Sequence, residues 1–205
     1  MKLILGTKVA MSQIFDADGV VHPVTVISAG PVTVTQLKTT ESDGYSAVQV
    51  GFGTRNEKNI SKAVKGHLKG LGNFRFLREF PLAKGAEMKI GDKIDVSAFA
   101  EGDVVTVSGV SKGKGFQGVV KLHGFHGGPR SHGQKHSERE RGSAGGGLRT
   151  GPRKGMRMAG RMGGDRVTVK NLKVVQIDPS TNEIFISGAI PGRRGTLVEI
   201  TSQKN

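Results

Sequence analysis

Two folds compete for the segment "DVVTVSGVSKGKGFQGVVKLHG", residues 103–124. Its glycine cluster "GKGFQG", residues 113–118, fits the pattern G-x-G-x-x-G, which connects a strand to a helix in dinucleotide-binding folds. The same glycines, flanked by Lys112 and Lys114, also suit a different polyphosphate, because glycine lets backbone N–H groups approach phosphates closely. The residues after the cluster separate the two hypotheses.

A dinucleotide-binding fold requires a second parallel strand after the helix and an acidic residue about 20 residues further on. Glu138 falls near that offset, but residues 126–147 read "HGGPRSHGQKHSERERGSAGGG", without the apolar run that a parallel strand needs. We therefore interpret the cluster as a glycine-rich turn into a short helix, with Phe116, Val119 and Val120 packing on the folded body. This interpretation is compatible with phosphate binding by the glycines and lysines.

The positive charge of the chain is concentrated around this cluster. The formal net charge is +14, and residues 111–166 contribute thirteen Lys or Arg against three acids. The same window holds sixteen of the 32 glycines and four of the six histidines. Such a concentration of cations indicates a polyanionic partner.

The window also lacks the residues that build a core. Residues 127–160 contain no Val, Ile, Phe, Tyr or Trp. Fixing a backbone costs about 1–2 kcal/mol per residue, which this stretch cannot offset by burying apolar surface. We expect it to be disordered in the free protein and to take its conformation from a partner. Met156, Met158 and Met162 either anchor it to the body or pack against bases and sugars.

The sequence on both sides of this window predicts β structure. Short runs rich in β-branched residues alternate with turn residues, which is typical of an antiparallel barrel or sandwich. The runs are "GVVHPVTVISAG", "PVTVTQLKT", "YSAVQVGF", "GDVVTVSGV", "RVTVKNLKVVQI", "NEIFISGAI" and "GTLVEITS". "DADG" at residues 16–19 and "DPSTN" at residues 178–182 predict hairpin turns. Strands on both sides of the basic window predict a protruding loop.

One helical pattern interrupts the strands. Ile60, Val64, Leu68 and Leu71 follow helical spacing, and Asn59 or Ser61 is placed to cap the helix. A stripe of lysines would lie mostly on the solvent-facing side of this helix. Either a solvated face or an RNA contact explains the stripe. Its members are Lys58, Lys62, Lys65 and Lys69.

Several functional classes are excluded by composition. The chain has no cysteine, which excludes disulfides, thiol nucleophiles and Cys-based zinc sites. No stretch approaches the ~18 apolar residues of a membrane span, and the apolar run near the N-terminus is too short for a signal peptide. We predict no membrane association.

No metal site, cofactor or catalytic residue is predicted. The loosely spaced histidines lack the second-shell acceptors that metal sites need, and hydrogen bonding or stacking on nucleic acid suits them better. A triad drawn from Ser131, His132 and Glu138 would lie in a cationic segment without the rigid seat that a catalytic base requires. The four histidines are His123, His126, His132 and His136.

The pattern of motifs favours RNA among polyanions. Helix-turn-helix, zinc-finger and basic-zipper patterns are absent, as are the aromatic motifs of the RNA-recognition fold. Arginines separated by glycines are able to follow a crooked phosphate path, because Arg offers a bidentate fork and Gly fits narrow gaps. A folded body with a cationic loop that orders on compact RNA is the expected result.

Three segments resemble the family of large-subunit ribosomal protein L-three, in its bacterial form. They are "GTKVAMSQIF" (residues 6–15), "VSGVSKGKGFQGVVKLHGF" (residues 107–125) and "GPRKGMRMAGRMGGDRVTVKNLKVVQID" (residues 151–178). The resemblance covers essentially the whole chain in the right order. Ala10 stands where the family usually has Gly, Thr106 where it has Asp or Asn, and Lys121 where Arg is common.

The resemblance implies a mostly β fold: a six-stranded barrel of the translation-factor type, a small inserted α+β subdomain and a long basic irregular loop. The expected division is residues 1–56 for the first part of the barrel, 57–92 for the inserted subdomain with one helix, 93–120 for the continuation of the barrel, 121–163 for the basic loop and 164–205 for the final part of the barrel.

The resemblance also implies a function. It predicts a structural protein of the large ribosomal subunit that binds 23S rRNA near the 3′ end and nucleates 50S assembly. Its neighbours would belong to the L-fourteen and L-nineteen families, and it would work in the cytoplasm, in the ribosome. No small-molecule substrate is expected.

Charge and resemblance together predict the residues that contact RNA. They are Lys112, Lys114, Lys121, His123, Arg130, His132, Lys135, His136, Arg139, Arg141, Arg149, Arg153, Lys154, Arg157, Arg161 and Arg166. The family's loop reaches toward the peptidyl transferase centre, and its tip would be Gly142, Ser143, Ala144, Gly145, Gly146, Gly147, Leu148 and Arg149. Gly146 stands where many bacterial members carry a methylated glutamine, so methylation is not expected here.

Two alternatives remain open on the sequence. A dinucleotide-dependent or RNA-modifying enzyme would use the glycine cluster to bind a cofactor tightly. A nonspecific nucleic-acid chaperone would bind duplex DNA as well as folded rRNA.

Overall fold

The computed structural model describes residues 2–82, 88–145 and 151–202. The prediction of a mostly β chain is confirmed. The chain divides into two compact units. The first, Met1–Val110 with Arg166–Asn205, is called the body below, and the second, Ser111–Asp165, is called the loop unit.

Strands dominate the described residues. They are β1 Leu3–Phe15, β2 Val21–Ala29, β3 Val32–Lys38, β4 Ala47–Thr54, β5 Phe74–Pro81, β6 Lys93–Ile94, β7 Val104–Val110, β8 Gly115–Gln117, β9 Gly160–Met162, β10 Arg166–Asp178, β11 Glu183–Ser187 and β12 Leu197–Ser202. Helix α1 spans Lys62–His67 and helix α2 spans Val119–His123. Single 3-10 turns lie at Glu57–Asn59 and Val96–Ala98.

Six strands of the body form a closed barrel in the order β1-β12-β7-β10-β11-β2, with β2 pairing back to β1. Every pairing among the described strands is antiparallel. The part of the chain that the structure describes therefore lacks the parallel pair that a dinucleotide-binding fold requires.

β-branched side chains explain the barrel. Ile4 and Val107 lie opposite Ile200 on the two strands that flank β12, and all three are fully buried. Ile27 and Ile184, which also pair, are buried in the same way. Because side chains alternate between the faces of a strand, these apolar positions all point into one core.

Turns and bulges set the register of the barrel. Asp16 Oδ1 accepts hydrogen bonds from the Asp18 and Val20 N–H groups, at 3.0 and 2.9 Å, and closes the β1–β2 hairpin at the predicted "DADG" turn. Asn182 adopts a left-handed φ of 55° in the predicted turn between β10 and β11. Asn171, with φ 60°, lies where the β10–β7 register shifts, which is a typical bulge.

A second, four-stranded sheet has the order β5-β4-β3-β6. Its buried residues, such as Val48 and Val50, belong to the same core cluster as those of the barrel. This arrangement differs from the division drawn from the sequence. Residues 1–56 were expected in the barrel and 57–92 in a separate insertion, whereas β3 and β4 lie outside the barrel, with β4 pairing to β5 and β3 pairing to β4 and β6. Strand partners are set by non-local contacts that a local pattern does not record.

Helix α1 confirms the predicted helix but is shorter than the pattern Ile60 to Leu71, and none of its own residues is buried. The Ser61 side chain accepts a hydrogen bond from the Val64 N–H at 3.4 Å, so Ser61 caps the helix and Asn59 does not. Leu68, just after the helix, is buried. Lys65 pairs with Glu57 at 2.9 Å.

Candidate nucleic-acid interface

The loop unit is closed at its base by backbone hydrogen bonds. The Ser111 N–H donates to the Asp165 carbonyl at 2.8 Å, and the Lys114 N–H donates to the Met162 carbonyl at 2.9 Å. A Cβ on Gly163, which has a φ of 76°, would collide with the backbone of Lys112. This glycine therefore serves the close approach of two chain segments. The unit begins at residue 111, earlier than the predicted loop boundary of 121.

The "GKGFQG" cluster forms a strand of this base. Strand β8 pairs with β9, and Phe116 lies opposite Arg161. Phe116 is 76% exposed, so the prediction that it packs on the body is wrong. Val119 is buried, and Val120 is half-buried. The ring lies on the surface because its strand pairs with one that carries Arg161 at the opposite position. The apolar residues near Phe116 in the sequence did not indicate this pairing.

Helix α2 follows strand β8 directly in the loop unit. It ends at Gly124, whose φ of 72° is left-handed, a usual way for a helix to end. His123 Nε2 donates a hydrogen bond to the Met158 carbonyl at 2.9 Å, because a carbonyl oxygen only accepts. The returning segment is thus held through the Met158 backbone, while the Met156 and Met158 side chains stay partly exposed.

Glu138 has hydrogen-bond and ion-pair partners within the loop unit. Its carboxylate pairs with Arg130 Nε at 2.6 Å, and its carbonyl accepts from the Gly128 N–H at 3.0 Å. The acid that would bind a dinucleotide ribose is therefore used within the loop itself. No hydrogen bond links it to His132 among the described residues, and Ser131 and His132 are exposed, so the drawn triad is not assembled.

A cleft of about 520 Å³ lies beside this turn. The Arg157 guanidinium lies 5.2 Å from the centre of the Phe125 ring, and His123 lies 5.9 Å from the same ring. Arg141 also lines the cleft, and its Nη1 atom is buried with no hydrogen-bond partner in the described parts of the chain. A buried cationic N–H group without a partner is costly, and an anion entering the cleft would satisfy it.

The predicted RNA-contacting residues are presented to solvent. Most are exposed, His123 and Arg141 are half-buried, and Arg149 lies outside the described residues. The exposed ones are Lys112, Lys114, Lys121, Arg130, His132, Lys135, His136, Arg139, Arg153, Lys154, Arg157, Arg161 and Arg166. Within the described chain, Arg130 and Arg166 are the members of this set with a carboxylate partner.

Arg166 differs from the rest of the set. It belongs to β10 of the body and pairs with Glu199, which also binds Arg78 at 3.1 Å. A cation already neutralised by a carboxylate gains less from a phosphate than a free one does. The other predicted cations belong to the loop unit.

Half of the predicted tip is described. Gly142 and Gly145 have left-handed φ values of 80° and 66°, and the Gly145 N–H donates to Ser143 Oγ at 3.2 Å. Ala144 is half-buried. The other predicted tip residues, Gly146, Gly147, Leu148 and Arg149, lie outside the described residues.

Two further observations concern metal sites and membrane spans. Among residues 2–82, 88–145 and 151–202, no group of three or more His, Asp or Glu side chains is arranged to hold a metal ion. In the same residues, no helix is long and apolar enough to span a membrane.

Two aromatic residues of the loop unit were not among the predicted RNA contacts. Phe125 forms one wall of the cleft beneath Arg157, and Phe116 stands exposed on the hairpin. Their signal in the sequence is an isolated aromatic among glycines and cations. Phe116 is in the segment "KGKGFQG" and Phe125 is in "HGFHGG".

Comparison with known proteins assigns this chain to a class of ribosomal proteins. A family model described as Ribosomal protein L3 matches residues 83–190. Large ribosomal subunit protein uL3 of Herpetosiphon aurantiacus is 49% identical over 200 residues, covering 97% of this chain and 94% of the relative.

Two other relatives agree over nearly their full length. Large ribosomal subunit protein uL3 of Synechococcus sp. (strain JA-3-3Ab) is 48% identical, covering 98% of this chain and 95% of the relative. Its counterpart in Roseiflexus sp. (strain RS-1) is 51% identical, covering 96% and 95%. The chain belongs to the uL3 family of large-subunit ribosomal proteins.

Proposed function

We propose that this protein is a structural constituent of the large ribosomal subunit that binds 23S rRNA near its 3′ end and nucleates 50S assembly in the cytoplasm. Family membership carries the proposal. The concentration of exposed cations in one unit of the chain supports it independently. The family is one of ribosomal proteins, and no catalytic role is part of the proposal.

The loop unit supplies the contacts to RNA. Its described Lys and Arg side chains are exposed except for the half-buried Arg141, and apart from Arg130 they have no carboxylate partner within the described residues. Neutralising ~6–10 phosphates releases enough counterions to make binding strong and steeply dependent on salt. Gly127 and Gly128 pack against the backbone of Glu138 and Ser137, where a Cβ would collide, and so allow these two segments of the loop unit to approach closely.

The cleft beside this turn is a candidate phosphate site within that surface. Arg141 Nη1 is buried there without a partner, and Arg157 lies nearby on the Phe125 ring. An RNA phosphate would hydrogen-bond to Arg141, and the stacked Arg157 would remain available for a second one.

Three finer features are part of the same proposal. The barrel is of the translation-factor type, and the body docks on rRNA while the loop reaches toward the peptidyl transferase centre. Neighbours are proteins of the L-fourteen and L-nineteen families. The departure at Gly146 supports the absence of glutamine methylation at the tip.

Reconstitution tests the proposal. The full chain should bind a 23S rRNA transcript at physiological salt far more tightly than a 16S transcript of similar charge density, and RNase footprints should cluster near the 3′ end. Cells depleted of the protein should accumulate early large-subunit precursors. Equal affinity for both transcripts and for duplex DNA would instead indicate a nonspecific chaperone. Tight binding of nicotinamide or flavin cofactors would indicate an enzyme.

A further inference from the structure

Phe116 is the most exposed large apolar side chain of the described residues. It is 76% exposed, although it lies in a hydrogen-bonded strand. Phe15, at the end of the β1–β2 hairpin, is 61% exposed and faces Val21 across the strands. Phe116 faces Arg161 instead. The two exposed rings therefore differ in their cross-strand neighbour, which is a cation for Phe116 and an apolar residue for Phe15.

The backbone beneath the Phe116 ring is fixed. The Lys114 N–H donates to the Met162 carbonyl at 2.9 Å, and the Gln117 side chain donates to the Lys114 carbonyl. These hydrogen bonds hold strand β8 on both sides of Phe116 along the chain. A rigidly held side chain loses little conformational entropy when a ligand stacks on it.

The surroundings of the ring are open. A Cβ built on Gly113, Gly115 or Gly118 would meet no other atom within 4 Å. These glycines therefore do not serve close packing. They leave space on both sides of Phe116 along the chain, and the ring itself is 76% exposed.

The charge around the ring decides what would occupy this space. Lys112, Lys114 and Arg161 are all exposed near Phe116 in the sequence or across the hairpin. An apolar protein surface would have to desolvate these cations, which is unfavourable. An unpaired nucleobase offers a π-face to the ring and places its own phosphates among the cations.

We propose that Phe116 is a stacking platform for one unpaired base of rRNA, with Arg161 and Lys114 binding the phosphates on either side of that nucleotide. The proposal rests on the proposed function, because it specifies one contact of the same RNA. Stacking on an aromatic side chain does not depend on net charge, whereas the flanking contacts do.

The test compares single variants of the full chain in binding to the 23S rRNA transcript. Phe116→Leu should weaken binding about 5- to 100-fold, which is the range for loss of one stacked base, with an unchanged dependence on salt. Phe116→Tyr keeps the ring and should retain affinity. Lys114→Gln should reduce the salt slope by about one.

Phe15→Leu is the matched control, since it removes another largely exposed ring that lies far from the basic window in sequence. It should leave the affinity unchanged. Thermal melts of the variants check that folding is intact, and nucleotide-by-nucleotide acylation of the RNA should show that Phe116→Leu releases one nucleotide from protection.

The outcomes separate this inference from the proposed function. If the wild type binds the 23S and 16S transcripts equally, the proposed function fails. If the wild type is selective but Phe116→Leu keeps its affinity and footprint, only the stacking proposal is overturned. If Phe116→Leu binds the transcript normally but is lost from assembled subunits, the ring contacts a protein, which also overturns it.

Discussion

The body and the loop unit of this chain obtain their order from different sources. The buried hydrophobic residues found in the described structure lie in the body, with the exception of Val119. The loop unit has twelve Lys or Arg against three acids, and the body has nineteen against fourteen. One unit has a core and nearly balanced charge, while the other has a strong positive charge and almost no core.

This difference shows how one chain serves two purposes. Burial of Val, Ile and Leu stabilises the barrel without help from a partner. The loop unit, closed at its base by the paired strands β8 and β9, keeps most of its described cations exposed, where they are available to phosphates. Neutralising the cations within the protein would have stabilised the free loop and weakened the interaction with phosphate.

Removal of the whole loop unit should have the largest effect. Val110 and Arg166 are direct partners across β7 and β10, so an Asn-Gly turn replacing residues 111–165 would connect them as a two-residue hairpin. The body should keep its circular dichroism spectrum and a cooperative thermal transition. Affinity for the 23S transcript should fall by about 10³-fold or more, as expected when most phosphate contacts are lost.

The full chain at the same salt concentration is the control for this truncation. An unfolded body would mean that the two units depend on each other for folding. Unchanged affinity would mean that the body carries the RNA contacts.

Core truncation should separate the units by stability. Ile200→Ala, at a fully buried position in the barrel, should lower the free energy of unfolding by about 2–5 kcal/mol in urea titrations. Met156→Ala, in the loop unit and partly exposed, should change it by less than about 0.5 kcal/mol. A comparable loss from both would contradict the division of the core.

The sequence predicted the elements whose causes are local. The Asp16 turn, the Ser61 helix cap and the buried Val119 follow from neighbouring residues, and the glycine and charge patterns located the loop unit. Residues 32–54 were assigned to the wrong sheet, because barrel strands and strands of the second sheet share the same alternation. Phe116 was expected to be buried but is exposed. Its exposure depends on which strand lies opposite, and the local sequence does not record that.

Charge removal should affect salt dependence in the loop unit alone. The triple variant K135Q/R153Q/K154Q, at exposed positions, should reduce the slope of log affinity against log salt by about 2–3. The matched control K58Q/K62Q/K69Q removes three exposed lysines beside helix α1 and should leave the slope unchanged. A reduced slope in the control would mean that the helix stripe contacts RNA.

The smallest expected effect concerns acid stability of the body. The hydrogen bond from Lys2 Nζ, at 2.7 Å, and then that from the Ala100 N–H, lower the pKa of Asp103. A carboxylate with a lowered folded-state pKa stabilises the fold above its unfolded pKa of about 3.9, and this contribution is lost as pH falls through the folded value.

Asp103→Asn should therefore melt at a slightly lower temperature than the wild type at pH 7. The loss in free energy of unfolding should be well under 1 kcal/mol, since the pair is partly exposed, and the difference in melting temperature should close below about pH 4. Melting temperatures at several pH values measure it. A gap that widens on acidification would show the opposite sign of coupling.

Hydrogen exchange of the free chain and of the chain bound to the 23S transcript tests the central claim most directly. Barrel amides such as those of Val107 and Ile184 should exchange slowly in both states. Amides of residues 129–137 should exchange rapidly in the free chain and become at least about tenfold slower in the complex. Protection of those amides already in the free chain, or its absence in the complex, would contradict the claim that RNA orders the loop.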